Sequence, residues 1–169
     1  MSAKPQDISI LVIDDNEPLL KLIKAFLRMH GYRNVTLTLN AEQGFGMLCD
    51  EELKFDLVIV DWALSGMNGI EFTKKVRTDV ESLHPHIPVI LLTGHSERSR
   101  VEDARDAGVT EFLAKPISDE SLANRVKAIM GKPRHFIRAP DFVGPDRRRK
   151  GADKPTPGRK RRAEDLDND

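Results

Sequence analysis

Cysteine and long apolar runs are both scarce in this chain, and each scarcity removes a class of protein. A single cysteine, Cys49, rules out an internal disulfide and a cysteine-rich zinc site. The longest apolar runs, such as residues 8–13, stop far short of the roughly 20 residues that a membrane-spanning helix needs. The opening residues, Met1-Ser2-Ala3-Lys4-Pro5-Gln6-Asp7, hold no apolar core of the kind a secretory leader carries. The expectation is a cytoplasmic protein without a structural metal. Net charge of either sign is lacking too: 27 Lys+Arg balance 27 Asp+Glu over 169 residues.

That balance conceals a split. Residues 1–131 carry 15 basic and 20 acidic side chains, a net −5; residues 132–162 carry 12 and 3, a net +9; the last seven residues add four acids. Composition shifts at the same boundary. Residues 132–162 contain five prolines, and their large apolar residues are only Phe136, Ile137, Phe142 and Val143. Taken by itself such a segment buries too little surface to offset its ordering entropy, so when free it is expected to be mostly disordered. The expected organisation is a folded unit over 1–131 and a basic, Pro/Gly-rich extension over 132–169.

Within 1–131, short apolar runs alternate with amphipathic stretches. Runs at 8–13, 34–39, 57–60, 87–92 and 111–114 read as strands. Between them, 17–30 reads as a helix with Pro18 in its first turn and Gly31 as its stop. Asn40 with Gln43 caps a helix reaching about residue 50, where Cys49 falls on the inner face. Helices over 69–78 and 96–107 follow, and Ser118 caps a last one. Five strands alternating with five helices predict an α/β fold, a doubly wound five-stranded parallel sheet covered on both faces.

In such sheets the working groups gather at the carboxyl ends of the strands, near a topological switch point. Those ends read Asp14-Asp15, Asp61, Thr93 and Lys115-Pro116. Three clustered carboxylates repel one another and need a cation or a lysine among them. Oxygen ligands suit Mg²⁺, and an aspartate can attack phosphorus to form an acyl phosphate. The transferred group carries spread negative charge, which Mg²⁺, Lys115 and the Thr93 hydroxyl would stabilise. Taken singly, each of these residues is an ordinary loop or capping residue; their joint placement at four strand ends carries the reading.

On these residues the chain resembles the receiver domain of two-component response regulators, the CheY-like, flavodoxin-like fold. The resemblance covers residues 8–131. It implies that Asp61 is the phosphoacceptor, that Asp14, Asp15 and Asp61 hold Mg²⁺ with help from the Ala63 carbonyl, and that Thr93, Phe112 and Lys115 form the switch. It also implies a histidine kinase or phosphotransferase as donor and no metabolic activity beyond phosphorylation and dephosphorylation of the protein itself. Asp61-Trp62 resembles the chemotaxis branch. Two departures stand out: Leu64-Ser65 replaces the usual Met-Pro, and Phe112 lacks the hydroxyl of the commoner tyrosine. Trp62 is read as a packing residue, and His84, His86 and His95 receive no metal role.

The extension carries two arginine clusters, Gly144-Pro145-Asp146-Arg147-Arg148-Arg149-Lys150 and Gly158-Arg159-Lys160-Arg161-Arg162. Guanidinium forks pair bidentately with phosphate and with the O6/N7 edge of guanine. An aspartate accepts from the guanine N1–H and N2–H₂ donors. The combination resembles the CheY-like proteins with an arginine-rich extension that bind cyclic di-GMP, the Cle group. That resemblance implies cyclic di-GMP on Asp146, Arg147, Arg148 and Arg149, with Arg159, Arg161 and Arg162 as a second arm. It also implies an output on the flagellar motor switch or an envelope partner, with recruitment to the motor or cell pole. Two other readings of the extension remain open: a solvated tail without ligand, and binding of nucleic acid or another polyanion through phosphate contacts, which is less favoured.

Overall fold

The computed structural model describes residues 3–94 and 100–147. A 3₁₀ turn (Pro5–Asp7) leads into β1 (Ser9–Ile13), α1 (Glu17–Met29), β2 (Asn34–Thr38), α2 (Ala41–Leu48), β3 (Leu57–Asp61), α3 (Gly69–Thr78), β4 (Val89–Thr93), α4 (Val101–Asp106), β5 (Glu111–Ala114) and α5 (Asp119–Gly131). Two further strands, β6 (Phe136–Ala139) and β7 (Phe142–Pro145), follow. The five-stranded sheet has the order β2-β1-β3-β4-β5, and all its pairings are parallel.

The strands are apolar on both sides because helices cover both faces. Alternation along β1 divides its residues: Leu11 and Ile13 enter the core under α2, α3 and α4, and Ile10 and Val12 enter the core under α1 and α5. Phe45, Phe72 and Val76 fill the first layer, and Leu20, Ile23, Leu27, Leu122 and Val126 the second. The caps read from sequence are made: Asn16 accepts from the Leu19 N–H, Asn40 from Gln43, and Ser118 from Ser121. Asn68 and Glu71 add a reciprocal capping box at α3. Gly31, at φ +90°, turns the chain out of α1.

Several boundaries differ from expectation. β4 starts at Val89 rather than at residue 87, because Pro88 has no N–H to give the ladder; its carbonyl instead accepts from Val58 at 3.0 Å. α2 stops at Leu48, leaving Cys49 as a half-buried cap whose thiol is pushed up by burial and by Glu81 and Asp79. Of the helix expected over 96–107, residues 96–99 lie outside the described residues, and α4 begins at Val101.

The first part of the extension is ordered against the rest of the chain. β6 and β7 pair antiparallel around a two-residue turn, Pro140-Asp141. A lone two-stranded hairpin is marginal in water. Here the four apolar residues noted in the sequence, Phe136, Ile137, Phe142 and Val143, become half-buried, and Gly144 and Pro145 fully buried. The expectation of disorder concerned the segment by itself; docking supplies the missing apolar cover. Among the described residues no helix is long and apolar enough to cross a membrane.

Candidate functional site

The sheet order fixes where the site forms. β1 is followed by a connection to β2 on one side and pairs with β3 on the other, which opens a crevice at their carboxyl ends. Ile13 pairs with Val60, so the next residues, Asp14 and Asp61, face each other across it. Both are buried; Asp15 beside them is exposed. Lys115, at the end of β5, places its Nζ 2.8 Å from Asp61 Oδ1 and 3.5 Å from Asp14 Oδ2. Its backbone N–H donates to the Thr93 carbonyl at 2.8 Å, which holds the two strand ends together.

The electrostatics follow from three acids around one cation. Burial raises the Asp14 carboxyl above its ordinary range and the Asp61 charge adds to this, while the Asn16 N–H, which donates to Asp14 Oδ1 at 2.8 Å, and Lys115 pull it down. Burial alone would lower the Lys115 ammonium, but the hydrogen bond and charge of Asp61, with Asp14 behind it, hold it above its usual value. Carboxylate oxygens of Asp14, Asp15 and Asp61 lie within 4.8 Å of one another. This all-oxygen set is under-compensated by one lysine, and it fits a hard divalent cation such as Mg²⁺.

The loop after Asp61 is held from two directions. Leu64 is buried, and Glu42 on α2 accepts from the Met67 N–H at 3.1 Å. A side chain at Gly69 would lie 2.5 Å from the Asp61 carbonyl oxygen, so only glycine lets α3 start this close to the acid. Glu42 and Gly69 were not singled out in the sequence, because their partners lie 25 and 8 residues away on other elements. Ala63 is exposed between Asp61 and Leu64, and Trp62 packs in the core with the Arg100 guanidinium 5.7 Å from its ring. Thr93 is buried at the end of β4. Phe112 pairs with Leu91, on the same sheet face as Thr93 and two residues below it, half-buried against the core.

The candidate residues of the extension lie elsewhere. Arg147 donates to Asp106 Oδ1 at 2.8 Å and to the Arg105 carbonyl at the end of α4, and its guanidinium lies 4.3 Å from the Phe142 ring centre. The Asp146 N–H donates to the His135 carbonyl at 2.7 Å. Arg148, Arg149, Arg159, Arg161 and Arg162 lie outside the described residues, as does His95. The structure therefore gathers Asp14, Asp15, Asp61, Thr93 and Lys115 at one end of the sheet and sets Asp146 and Arg147 against its other end.

The sequence model of the response regulator receiver domain matches residues 10–127. The chain belongs to the response regulator receiver family. The receiver is 31% identical over 125 residues to chemotaxis protein CheY-3 of Vibrio cholerae, covering 73% of this chain and 92% of that one. It is 32% identical over 122 residues to the phosphate regulon transcriptional regulatory protein PhoB of Pseudomonas aeruginosa, covering 72% of this chain but only 51% of PhoB. Among solved structures, the receiver domain of the sensor histidine kinase PA1611 of Pseudomonas aeruginosa, with a magnesium ion coordinated in its active-site cleft, aligns at a TM-score of 0.64. Its identity is 27%, and the alignment covers 74% of this chain and 98% of that one. The family match ends at residue 127, so the β6–β7 hairpin is an addition to the receiver.

Proposed function

We propose that this receiver is a phosphorylatable signalling adaptor in which Asp61 accepts the phosphoryl group and the basic extension binds cyclic di-GMP. The observation that carries the first half is the Lys115–Asp61 contact at 2.8 Å beside the Asp14–Asp15–Asp61 oxygen cluster. One Asp61 carboxylate oxygen bonds to phosphorus as the bond from phosphorus to the donor breaks, and the electron pair leaves with the donor. Asp14, Asp15 and Asp61 would hold Mg²⁺, which when bound supplies positive charge to the transferring group. Lys115 pairs with Asp61 before transfer and is placed to pair with the new phosphoryl oxygens after it. Thr93 and Phe112, on one sheet face, are placed to carry the change toward α4. The donor is a histidine kinase or phosphotransferase.

The test is incubation with radiolabelled acetyl phosphate and Mg²⁺, in which acetate leaves with the electron pair of the broken P–O bond. Label is expected on the wild type and absent from Asp61→Asn. Equal labelling of the two proteins would overturn the assignment.

The second half is supported by Asp146 and Arg147, which border a cleft between the hairpin and the receiver. The ion pair of Arg147 with Asp106 is exposed, so giving up that pair for a ligand phosphate costs about 0–1 kcal/mol, apart from the Arg105 carbonyl bond and the Phe142 ring contact. Such a protein would act in the cytoplasm, docking on a flagellar motor switch or an envelope partner once its extension is loaded. Titration calorimetry with cyclic di-GMP should give saturable heat with the wild type and much weaker binding with Arg147→Ala/Arg148→Ala. No heat would leave a phosphorelay receiver with an idle extension. Binding to any polyanion that collapses steeply with salt would point to non-specific phosphate contacts.

A further inference from the structure

The hairpin encloses a second feature, at the end of the sheet away from Asp61. A cleft of about 830 Å³ lies between residues 132–136 and 146–147 on one side and β5 with the last turns of α5 on the other. Its size falls in the range of about 300–1,000 Å³ typical of small-ligand sites. Four cations, Arg125, Lys132, Arg134 and Arg147, line it against two acids, Glu111 and Asp146.

The two central arginines are held in place from below. Glu111 accepts from Arg125 at 3.2 Å and from Arg134 at 2.7 Å, using one nitrogen of each guanidinium. Each guanidinium carries five N–H donors, so both keep others for an anion. Lys132 is exposed and makes no ion pair among the described residues. One wall is aromatic: the His86 ring stacks on Phe136, centroids 5.1 Å apart and planes at 21°, and the Arg77 guanidinium lies 4.8 Å from the Phe136 ring centre, which leaves the outer face of His86 for a base. The remaining lining includes the apolar Pro88, Ala128, Ile129 and Pro133.

We infer that this cleft, formed between the receiver and the start of the extension, is the second half of the nucleotide site, taking one guanine against the outer face of the His86 ring and its phosphate on Arg125, Lys132 and Arg134. The inference rests on the cyclic di-GMP reading of the extension and adds to it residues outside both arginine clusters. Flat aromatic surface accepts any base. Paired guanidinium groups already fixed by a carboxylate match a phosphate at small ordering cost. Asp146, at the rim, is the acceptor suited to the guanine N–H edge. An extension binding by itself would need none of this. Because the docked hairpin forms one side of the cleft, a ligand bound there would stabilise the docking.

The probe is cyclic di-GMP, titrated calorimetrically into the full chain and into Lys132→Ala, Arg134→Ala and Arg134→Lys, with thermal unfolding of each recorded. About tenfold weaker binding is expected for the alanine variants, with partial recovery in Arg134→Lys. If Arg134→Ala unfolds early, Lys132→Ala decides the matter, since its exposed side chain makes no ion pair among the described residues. Wild-type binding that Arg147→Ala/Arg148→Ala weakens, but Lys132→Ala and Arg134→Ala leave untouched, would overturn the cleft and keep the extension as the site. Absence of heat with the wild type would overturn both.

Discussion

At the carboxyl ends of the strands three acids meet one lysine; at the amino ends of β4 and β5 four cations meet two acids. Roughly 10 Å of strand separates them, since β5 has four residues at about 3.3 Å each. The first end is assembled from residues that terminate strands, so the sheet itself positions them. The second exists only because a hairpin from outside the family match returns to the sheet. A parallel α/β sheet normally offers ligands one end; the extension gives this one a second, of opposite charge. Under the proposed function, the phosphoryl group on Asp61 and the phosphate of a bound dinucleotide would sit at opposite ends of one sheet and would not compete for the same atoms.

The sharpest way to break the comparison is to detach the hairpin. Gly108 follows α4 at φ +92°, and a Cβ there would lie 2.5 Å from the Val143 carbonyl oxygen and 3.1 Å from Arg77. Gly108→Val combines backbone strain with that clash, so a loss of about 3 kcal/mol is expected. At this chain length that lowers Tm by about 6–12 °C. Trypsin should then cut at Arg134 and Arg138 much faster, while acetyl phosphate still labels Asp61. Labelling lost together with the hairpin would mean that the two ends are one unit. Gly144→Val probes the same contact without a positive φ: a Cβ there would lie 2.9 Å from Gly108 Cα and 2.6 Å from the Phe142 ring.

The two ends also differ in how far the sequence discloses them. Asp14, Asp61, Thr93 and Lys115 are each the last residue of an apolar run or adjacent to it, so strand periodicity alone puts them at one edge. Periodicity likewise places the five strands and the capped helices. Apart from Asp146 and Arg147 in the first arginine cluster, nothing local announces the other end. Arg77 finds the Gly108 carbonyl 31 residues on, and Arg134 finds Glu111 across 23. Phe136 and Val143 read as too few to form a core because the core they join belongs to another part of the chain. Low apolar content correctly says that residues 132–147 lack a core of their own; it is silent on docking.

A second, smaller break is aimed at the buried cation beneath the hairpin. Arg77 is 2% exposed and has no acid partner among the described residues. It donates to the Gly108 carbonyl at 3.0 and 3.2 Å and to the Pro85 carbonyl at 2.9 Å, with the Phe136 ring 4.8 Å away. Burial pushes its guanidinium down to about 9, so it stays charged at neutral pH. Arg77→Met keeps the apolar stem but leaves two carbonyls without donors. A net loss of about 2 kcal/mol is expected by urea denaturation, with β6 amides exchanging faster than those of β1. Uniformly faster exchange would mean that Arg77 supports the whole receiver rather than the hairpin end.

The smallest effect sharpens the comparison from the acidic end, and its sign is opposite. The Asp14 carboxyl is raised chiefly by burial, with Asp61 adding to it, so in the metal-free protein the folded state holds this proton more tightly than the unfolded chain does. Stability then falls as pH rises from the unfolded carboxylate range through the raised value, and at neutral pH the charge is a cost. Asp14→Asn removes the charge and keeps the shape. In EDTA at pH 7 this variant should melt about 2–4 °C higher than the wild type, and the difference should shrink as pH is lowered toward 4. Millimolar Mg²⁺ should reverse the order, raising Tm for the wild type more than for Asp14→Asn, because only the wild type keeps all three carboxylate charges for a divalent cation to neutralise. If instead the variant melts lower in EDTA, the Lys115 contact outweighs the repulsion, and the acidic end is a structural ion-pair network as much as a site held ready for a cation.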